Sequence, residues 1–375
     1  MKAIIIFSGY NMRALYAFMR TLEKQSITYF IIASSDDDEI YSTNYKDKVI
    51  CERKSKSLII EDLIYCIRSV QKKFEFNNYL IAPSSEALNR FLLEHRILFS
   101  ELSCNVPLVD RKLYEKVSDK QDFGLLCNKY EIQTPKEYDL SQIKLPCVAK
   151  PKQYHSKKTG SILKPIIINK KSDLEKLCKD YDVDDFYFQE YIGGQSFYLL
   201  YYFFKNNTCI KFSQENLIQQ KRGGSILAAR PASLHLNMYS NLFENLFYSI
   251  GFTGLVMVEV KKFLDSFYMI EANPRFWGPS QLFVDANVNF FNAMLYEYEF
   301  LTQEPDYTEN ILYTTYYWDD GQSFSEDNIK DTMFYNLTKQ EFLLEYSKWD
   351  KDNFLKKEDT MNVYYTLTQG EKYAG

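Results

Sequence analysis

Residues Ala3–Phe7 form an uninterrupted apolar run, AIIIF, that ends abruptly at Ser8-Gly9-Tyr10-Asn11. A strand with no polar alternation has both faces covered, which is the situation in parallel sheets flanked by crossover helices. The segments after it obey the same logic. Asn11 is placed to cap a helix carrying Leu15, Phe18, Met19 and Leu22 at helical spacing. Thr28–Ile32 and Lys48–Cys51 read as strands, Leu58–Val70 as a helix, and Tyr79–Ala82 as a further strand ending at Pro83-Ser84-Ser85-Glu86. Alternating strands and helices over residues 1–108 predict a mostly parallel α/β unit. Its first turn lacks the G-x-G-x-x-G pattern, so no dinucleotide site is assigned there.

Residues 109–188 form a second unit: a helical stretch through Ser118-Asp119-Lys120 that stops at Thr134-Pro135, strands at Cys147–Lys150 and Ile166–Ile168, and a helix over Ser172–Cys178 capped by Ser172. Asp180–Asp185 reads as a solvated turn. Residues 189–300 form a third unit with a long aromatic strand, Phe197–Phe204, a hairpin turn at Lys205–Thr208 and a helix over Leu242–Ile250. Residues 301–375 are polar and rich in tyrosine, carry no motif, and read as an appendage of unknown role.

Composition narrows the function classes. A net charge of −5 gives no general attraction to nucleic acid or to an anionic membrane. The seven cysteines are odd in number, widely spaced and free of C-x-x-C pairs, which argues against a disulfide framework or a zinc site and for a reducing, cytoplasmic setting. No stretch approaches the roughly 18 uninterrupted apolar residues of a membrane helix. The expected partners are small molecules, with a homodimer as the default assembly.

The chemistry concentrates in GLVMVEV (254–260) and FYMIEANPRFWG (267–278). Glu259 sits inside an apolar strand, on the face with Met257 and Lys261 and opposite Val256, Val258 and Val260. Glu271 ends the next strand, followed by Asn273 and Arg275. If the two strands pair, both carboxylates face one side. Mg²⁺ takes hard oxygen ligands, commonly one or two carboxylates plus phosphate oxygens. Glu259, Glu271 and the Asn273 carbonyl oxygen supply such a set, and Arg275 offers a two-pronged contact to a phosphate or carboxylate. The bland alternative is an amphipathic hairpin with two surface glutamates. An isolated charge among valines weakens it, because carboxylates are rarely buried without a partner.

This constellation, E-x11-E-x-N-P-R with a Gly five residues ahead of the first Glu, resembles the metal-binding end of the ATP-grasp superfamily, which includes D-alanine–D-alanine ligase, biotin carboxylase and carbamoyl-phosphate synthetase. The resemblance spans about residues 1–295. It implies an α/β chain, α+β in its catalytic part, with a Rossmann-like pre-ATP-grasp unit at the N-terminus. By the resemblance, Lys120 and Lys150 (in VAKP) contact the ATP phosphates, and Gln189-Glu190-Tyr191-Ile192 form the hinge that holds adenine. Glu259, Glu271 and Asn273 bind Mg²⁺ (or Mn²⁺), and Arg275 lies near the reacting group. Alone, Lys120 is an ordinary helical lysine, Lys150 a strand-end charge, and Gln189–Ile192 a strand end before the Gly193-Gly194 turn.

Three features depart from the pattern. The phosphate-covering stretch Gln153–Ser161 has one glycine, so Ser156, Lys157, Lys158 and Ser161 stand in for backbone donors, with His155 a weaker candidate. The acidic ribose ligand after the hinge is replaced by Ser196, which leaves Glu190 or Gln195 for that role or the ribose loosely held. The segment after residue 300 has no counterpart. A basic, glycine-containing stretch, Lys221-Arg222-Gly223-Gly224-Ser225 with Arg230 beyond it, resembles a carboxylate-holding segment of carboxylate–amine ligases, although a flexible basic loop explains it equally. His235 reads as a satisfied, half-buried histidine. The expected activity is a Mg-ATP-dependent ligase that joins a carboxylate to an amine or other nucleophile through an acylphosphate. An ATP-dependent phosphotransferase and a catalytically silent nucleotide-binding protein are the rivals.

Overall fold

The computed structural model describes residues 2–156, 158–220, 223–305, 311–319 and 332–370. The opening apolar run is β1 (Lys2–Phe7), the middle strand of a five-stranded sheet ordered β3-β2-β1-β4-β5. β1 pairs with β2 (Tyr29–Ala33) and β4 (Asn78–Ile81), and these pair in turn with β3 (Val49–Glu52) and β5 (Cys104–Asn105), all parallel. Ile4 and Ile6 face α1 (Met12–Lys24), while Ala3, Ile5 and Phe7 face α2 (Ile60–Lys73) and α3 (Glu86–Glu94). Leu15, Phe18, Met19 and Leu22 of α1 are fully buried, each stabilising the fold by roughly 1.5–3 kcal/mol. Asn11 occupies the cap position, but in the left-handed conformation (φ 50°) and without a side-chain cap. Its amide instead donates to the carbonyls of Ser84 (2.9 Å) and Phe276 (3.1 Å), tying three loops together. After α4 (Arg96–Glu101), the helical stretch around Ser118 is two helices, α5 (Arg111–Ser118) and α6 (Lys120–Lys129). The break is Asp119, whose carboxylate accepts the N–H groups of Gln121 and Asp122.

A four-stranded antiparallel sheet, β6-β9-β7-β8, comprises β6 (Glu137–Tyr138), β7 (Cys147–Pro151), β8 (Ile166–Ile168) and β9 (Phe186–Glu190). The helix before β9 is α7 (Lys171–Asp180). Ser172 lies within it rather than at its cap, and the Asp173 carboxylate accepts from the backbone N–H groups of Asn169 and Lys170. Asp185, expected in a solvated turn, is buried and accepts from Ser156 Oγ (2.7 Å) and Gln153 Nε2 (3.3 Å).

The seven-stranded sheet is built on β10 (Gln195–Phe203), β11 (Cys209–Gln220), β12 (Ile226–Ala232), β13 (Gly254–Phe263) and β14 (Ser266–Asn273). Val256, Val258 and Val260 of β13 pack towards α8 (Met238–Ser249), and Met257 lies in the opposite core. Beyond β14 come α9 (Ser280–Asp285) and α10 (Phe290–Glu297). The segment expected as an appendage supplies two strands of this sheet: β15 (Tyr316–Tyr317) pairs with β12, and β16 (Thr332–Phe334) pairs with β11. The closing helices are α11 (Lys339–Leu344), α12 (Tyr346–Lys351) and α13 (Met361–Gly370). Arg20 of α1 binds both carboxylate oxygens of Asp359 and also Gln281, Thr360 and the Phe354 carbonyl, clamping this last segment to the first sheet's helix. All seven cysteines are free, and among the described residues no helix is long and apolar enough to cross a membrane.

Candidate active site

The antiparallel pairing of β13 with β14 sets Glu259 directly opposite Glu271. Like charges at opposed positions of a ladder destabilise it, so the rung requires positive charge around it. The chain provides that from distant elements. Lys120, the first residue of α6, donates to Glu271 Oε2, and the Asn273 amide donates to Glu271 Oε1 at 2.7 Å. Lys150, on β7, is buried and donates to the Ile270 carbonyl at 2.8 Å, which sets its ammonium behind the acidic pair. Lys261, two residues along β13 from Glu259, is also buried and lies 3.8 Å from the centre of the Tyr335 ring.

Burial and charge divide the two carboxyls. Burial pushes Glu259 up, reinforced by Glu271 and opposed by Lys261, Lys120 and Lys150. Burial also acts on Glu271, but Lys120, Asn273 and Lys150 prevail and hold it at about 2. Burial lowers Lys150 to about 8, with Lys120 adding to the shift and the two glutamates resisting it. One glutamate is therefore satisfied by the protein, and the other is short of a counter-charge.

The rung lines a cleft of about 1520 Å³ whose walls come from the seven-stranded sheet, from β8 and α7, and from the connections that follow β1 and β4. Lys120, Glu259, Glu271, Asn273 and Arg275 line it together. Tyr191, Tyr198, Met257, Met333 and Ile166 line it as well. The cleft also reaches the turns after β1 and β4, at Gly9–Asn11 and Ser85–Ala87, where ligands of open parallel sheets commonly bind. Next to Arg275, Phe276 packs edge-on to Phe18 of α1 at 5.1 Å. The Arg275 Nη1 donates to the Phe276 carbonyl (2.9 Å), and its buried Nε has no partner. Arg13 of α1 also lines the cleft, held by Ser225 Oγ (2.9 Å) and the Ile226 carbonyl (3.0 Å) against the Trp318 ring. Gly278 makes room for it, since a Cβ there would stand 2.5 Å from its guanidinium. Nothing in the sequence around Arg13 marks it; only the fold brings it to the cleft.

Other expected residues fall differently. Tyr191 lines the cleft; Gln189 and Ile192 are buried and Glu190 half-buried, none of the three lining it. Gly194 has φ 84°, and a Cβ there would meet the Lys262 carbonyl oxygen at 2.2 Å, so the bend after β9 requires glycine. Ser196 is fully buried, accepts from Asn216 Nδ2 (3.0 Å) and does not line the cleft. Gln195 does not line it either. Arg230 is paired with Glu215 (2.8 Å) outside the cleft, because it sits across the β11–β12 ladder from that glutamate. Gly224 and Ser225 line it, whereas Lys221 and Arg222 lie outside the described residues, as does Lys157. From Gln153–Ser161, only Tyr154 among the described residues lines the cleft; Ser156 is taken by Asp185. His235 is buried and shares a hydrogen bond with Ser213 Oγ (2.9 Å).

Among the described residues no three His, Cys, Asp or Glu side chains converge. The rung is therefore no self-sufficient metal cage. Two carboxylates and a carboxamide nevertheless fit a hard cation that takes its remaining ligands from phosphate and water.

The fold has known relatives. It is shared with pyruvate carboxylase from Rhizobium etli (TM-score 0.61, 12% identity), of which the match covers 82% of this chain and 29% of that one. Biotin carboxylase from Campylobacter jejuni, solved in complex with β-γ-ATP, matches at TM-score 0.60 and 15% identity over 81% of this chain and 72% of its own. N5-carboxyaminoimidazole synthetase from Staphylococcus aureus matches at 0.56 and 14% over 78% and 76%. The chain thus has the ATP-grasp fold implied by the motif around Glu259 and Glu271. No family model matches the sequence, and no curated protein matches it.

Proposed function

We propose that this chain is a Mg-ATP-dependent ligase that activates a carboxylate as an acylphosphate and passes the acyl group to an amine. The observation that carries the proposal is the Glu259–Glu271 rung, set in a cleft with Lys120, Asn273 and Arg275 and backed by the buried Lys150. The solved neighbour with β-γ-ATP supports a nucleotide in this fold. Bound Mg-ATP would supply the divalent charge and the γ-phosphoryl group. Glu259, Glu271 and Asn273 would hold the metal, with Lys120 and Lys150 neutralising phosphate charge. The β9 end, at Gln189–Ile192, would take adenine. Arg275, with an unpaired Nε, would orient the substrate carboxylate, whose oxygen attacks the γ-phosphorus as ADP leaves. The amine nitrogen would then bond to the acyl carbon, releasing phosphate and a proton. On this proposal residues 1–108 are the pre-ATP-grasp unit, 109–188 the lid and 189–300 the catalytic body.

The test is ADP release by purified protein and Mg-ATP, challenged with pools of carboxylic acids and amines. ADP should form only with a matched pair, and Glu271→Ala should lower turnover at least about 100-fold. Near-normal turnover in that variant would remove the site assignment. A stable phosphorylated acid as sole product would make the protein a phosphotransferase.

A further inference from the structure

The proposed nucleotide site has no acidic side chain where the sequence leads one to look, because Ser196 is sealed against Asn216. We propose that Gln219 binds the ribose hydroxyls of the nucleotide, and that Tyr335, from the carboxy-terminal segment, holds it in place. The inference rests on the proposed nucleotide site and adds the identity of the sugar-binding group.

Gln219 is buried near the end of β11 and lines the cleft. In the sheet it stands opposite Ile226 of β12 and Met333 of β16, which line the cleft as well. Its carboxamide is fixed at both ends: Nε2 donates to the Gly224 carbonyl at 2.8 Å, and Oε1 accepts from the Tyr335 hydroxyl. A carboxamide has two N–H donors and two acceptor lone pairs. One donor and one acceptor remain, on a planar group whose orientation is already set. That pair complements a vicinal diol.

Position points the same way. The Tyr335 ring lies against Lys261, two residues from Glu259, and its partner Gln219 lines the cleft together with Met333 and Tyr191. The group that joins base to phosphate is the sugar. The segment that delivers Tyr335 is anchored on both sides, by the pairing of β16 with β11 and by Asn336 Nδ2 donating to Glu215 at 2.9 Å.

Calorimetric titration of the full chain with Mg-ATP, 2′-deoxy-ATP and 3′-deoxy-ATP tests this. The wild type should bind ATP about 10-fold more tightly than at least one deoxy analogue, the effect of leaving a buried polar partner unsatisfied. Gln219→Leu should abolish that preference, and Tyr335→Phe, which keeps the ring on Lys261, should reduce it at least about threefold. If Gln219→Leu does not fold, Tyr335→Phe carries the decision. Equal wild-type binding of all three nucleotides, or a preference intact in the variants, overturns the ribose assignment alone. A wild type that binds no ATP overturns the nucleotide site and this inference together.

Discussion

Glu259 and Glu271 are chemically identical and occupy one rung, yet they should respond to neutralisation in opposite directions. Glu271 is held at about 2 against an ordinary value of 4.5, so it contributes stability above 4.5 that is lost as pH falls towards 2. Glu259 is raised, so ionising it at neutral pH opposes folding. In ligand-free protein at pH 7, Glu271→Gln should lower stability by about 2–3 kcal/mol, and Glu259→Gln should raise the melting temperature. Calorimetric melts compare them; a lower melting temperature for Glu259→Gln would show that the rung is already balanced. Lys150 adds a pH signature. It is held at about 8 against 10.5, so between those values the unfolded chain binds the extra proton and ligand-free stability rises with pH. Affinity for a polyanion should fall over the same interval as the ammonium loses its charge. Titrations of Mg-ATP from pH 7 to pH 9 should show weakening in the wild type and a flat profile in Lys150→Met. Of these residues, the glutamates, Asn273 and Arg275 were legible because spacing along two paired strands fixes which face each occupies. Arg13 and Gln219 were not, since their approach to the cleft depends on residues far off in sequence, Ser225 for Arg13 and Tyr335 for Gln219.

Strands and helices with clear periodicity were legible in the sequence to within a residue or two: β1, α1, β13 and β14 fall where apolar spacing puts them. Residues with two physical options were not. Asn11 is a good cap by type, but tertiary acceptors at Ser84 and Phe276 compete successfully for its amide. Asp185 sits in an acidic run that looks solvated, and only the folded β7–β9 region brings Ser156 and Gln153 to it. That carboxylate anchors the 153–161 loop, whose Tyr154 lines the cleft beside Arg90 of α3. Asp185→Ala should loosen this loop and leave the sheets intact. Limited proteolysis should cut within 153–161 several times faster, with a global melt within about 2 °C of the wild type. Unchanged cleavage would mean that Ser156 and Gln153 are secondary to the loop's other contacts.

The segment after residue 300 shows most plainly what one-dimensional reading loses. Its strands β15 and β16 are each only two or three residues long, too short to announce themselves by alternation. They cover Leu217, Ile218, Leu227 and Ala228 together with Phe342 and Trp349. Its clamp is Arg20, half of a nearly buried pair with Asp359 whose side-chain exposures are 12% and 19%. Removing one partner of such a pair typically costs about 3–5 kcal/mol. Arg20→Ala should therefore lower stability by about that amount in denaturant titrations and raise hydrogen exchange in α13. A neutral effect would mean that the apolar contacts alone hold the tail.

The cleft draws its walls from parts of the chain built on three separate sheets. A molecule filling it would act as a mortise pin, converting separately opening parts into one cooperative unit. Ligand concentration would then set how many unfolding transitions the protein displays, as well as where they fall. On the proposed function, nucleotide supply in a cell would be part of what this chain is folded from.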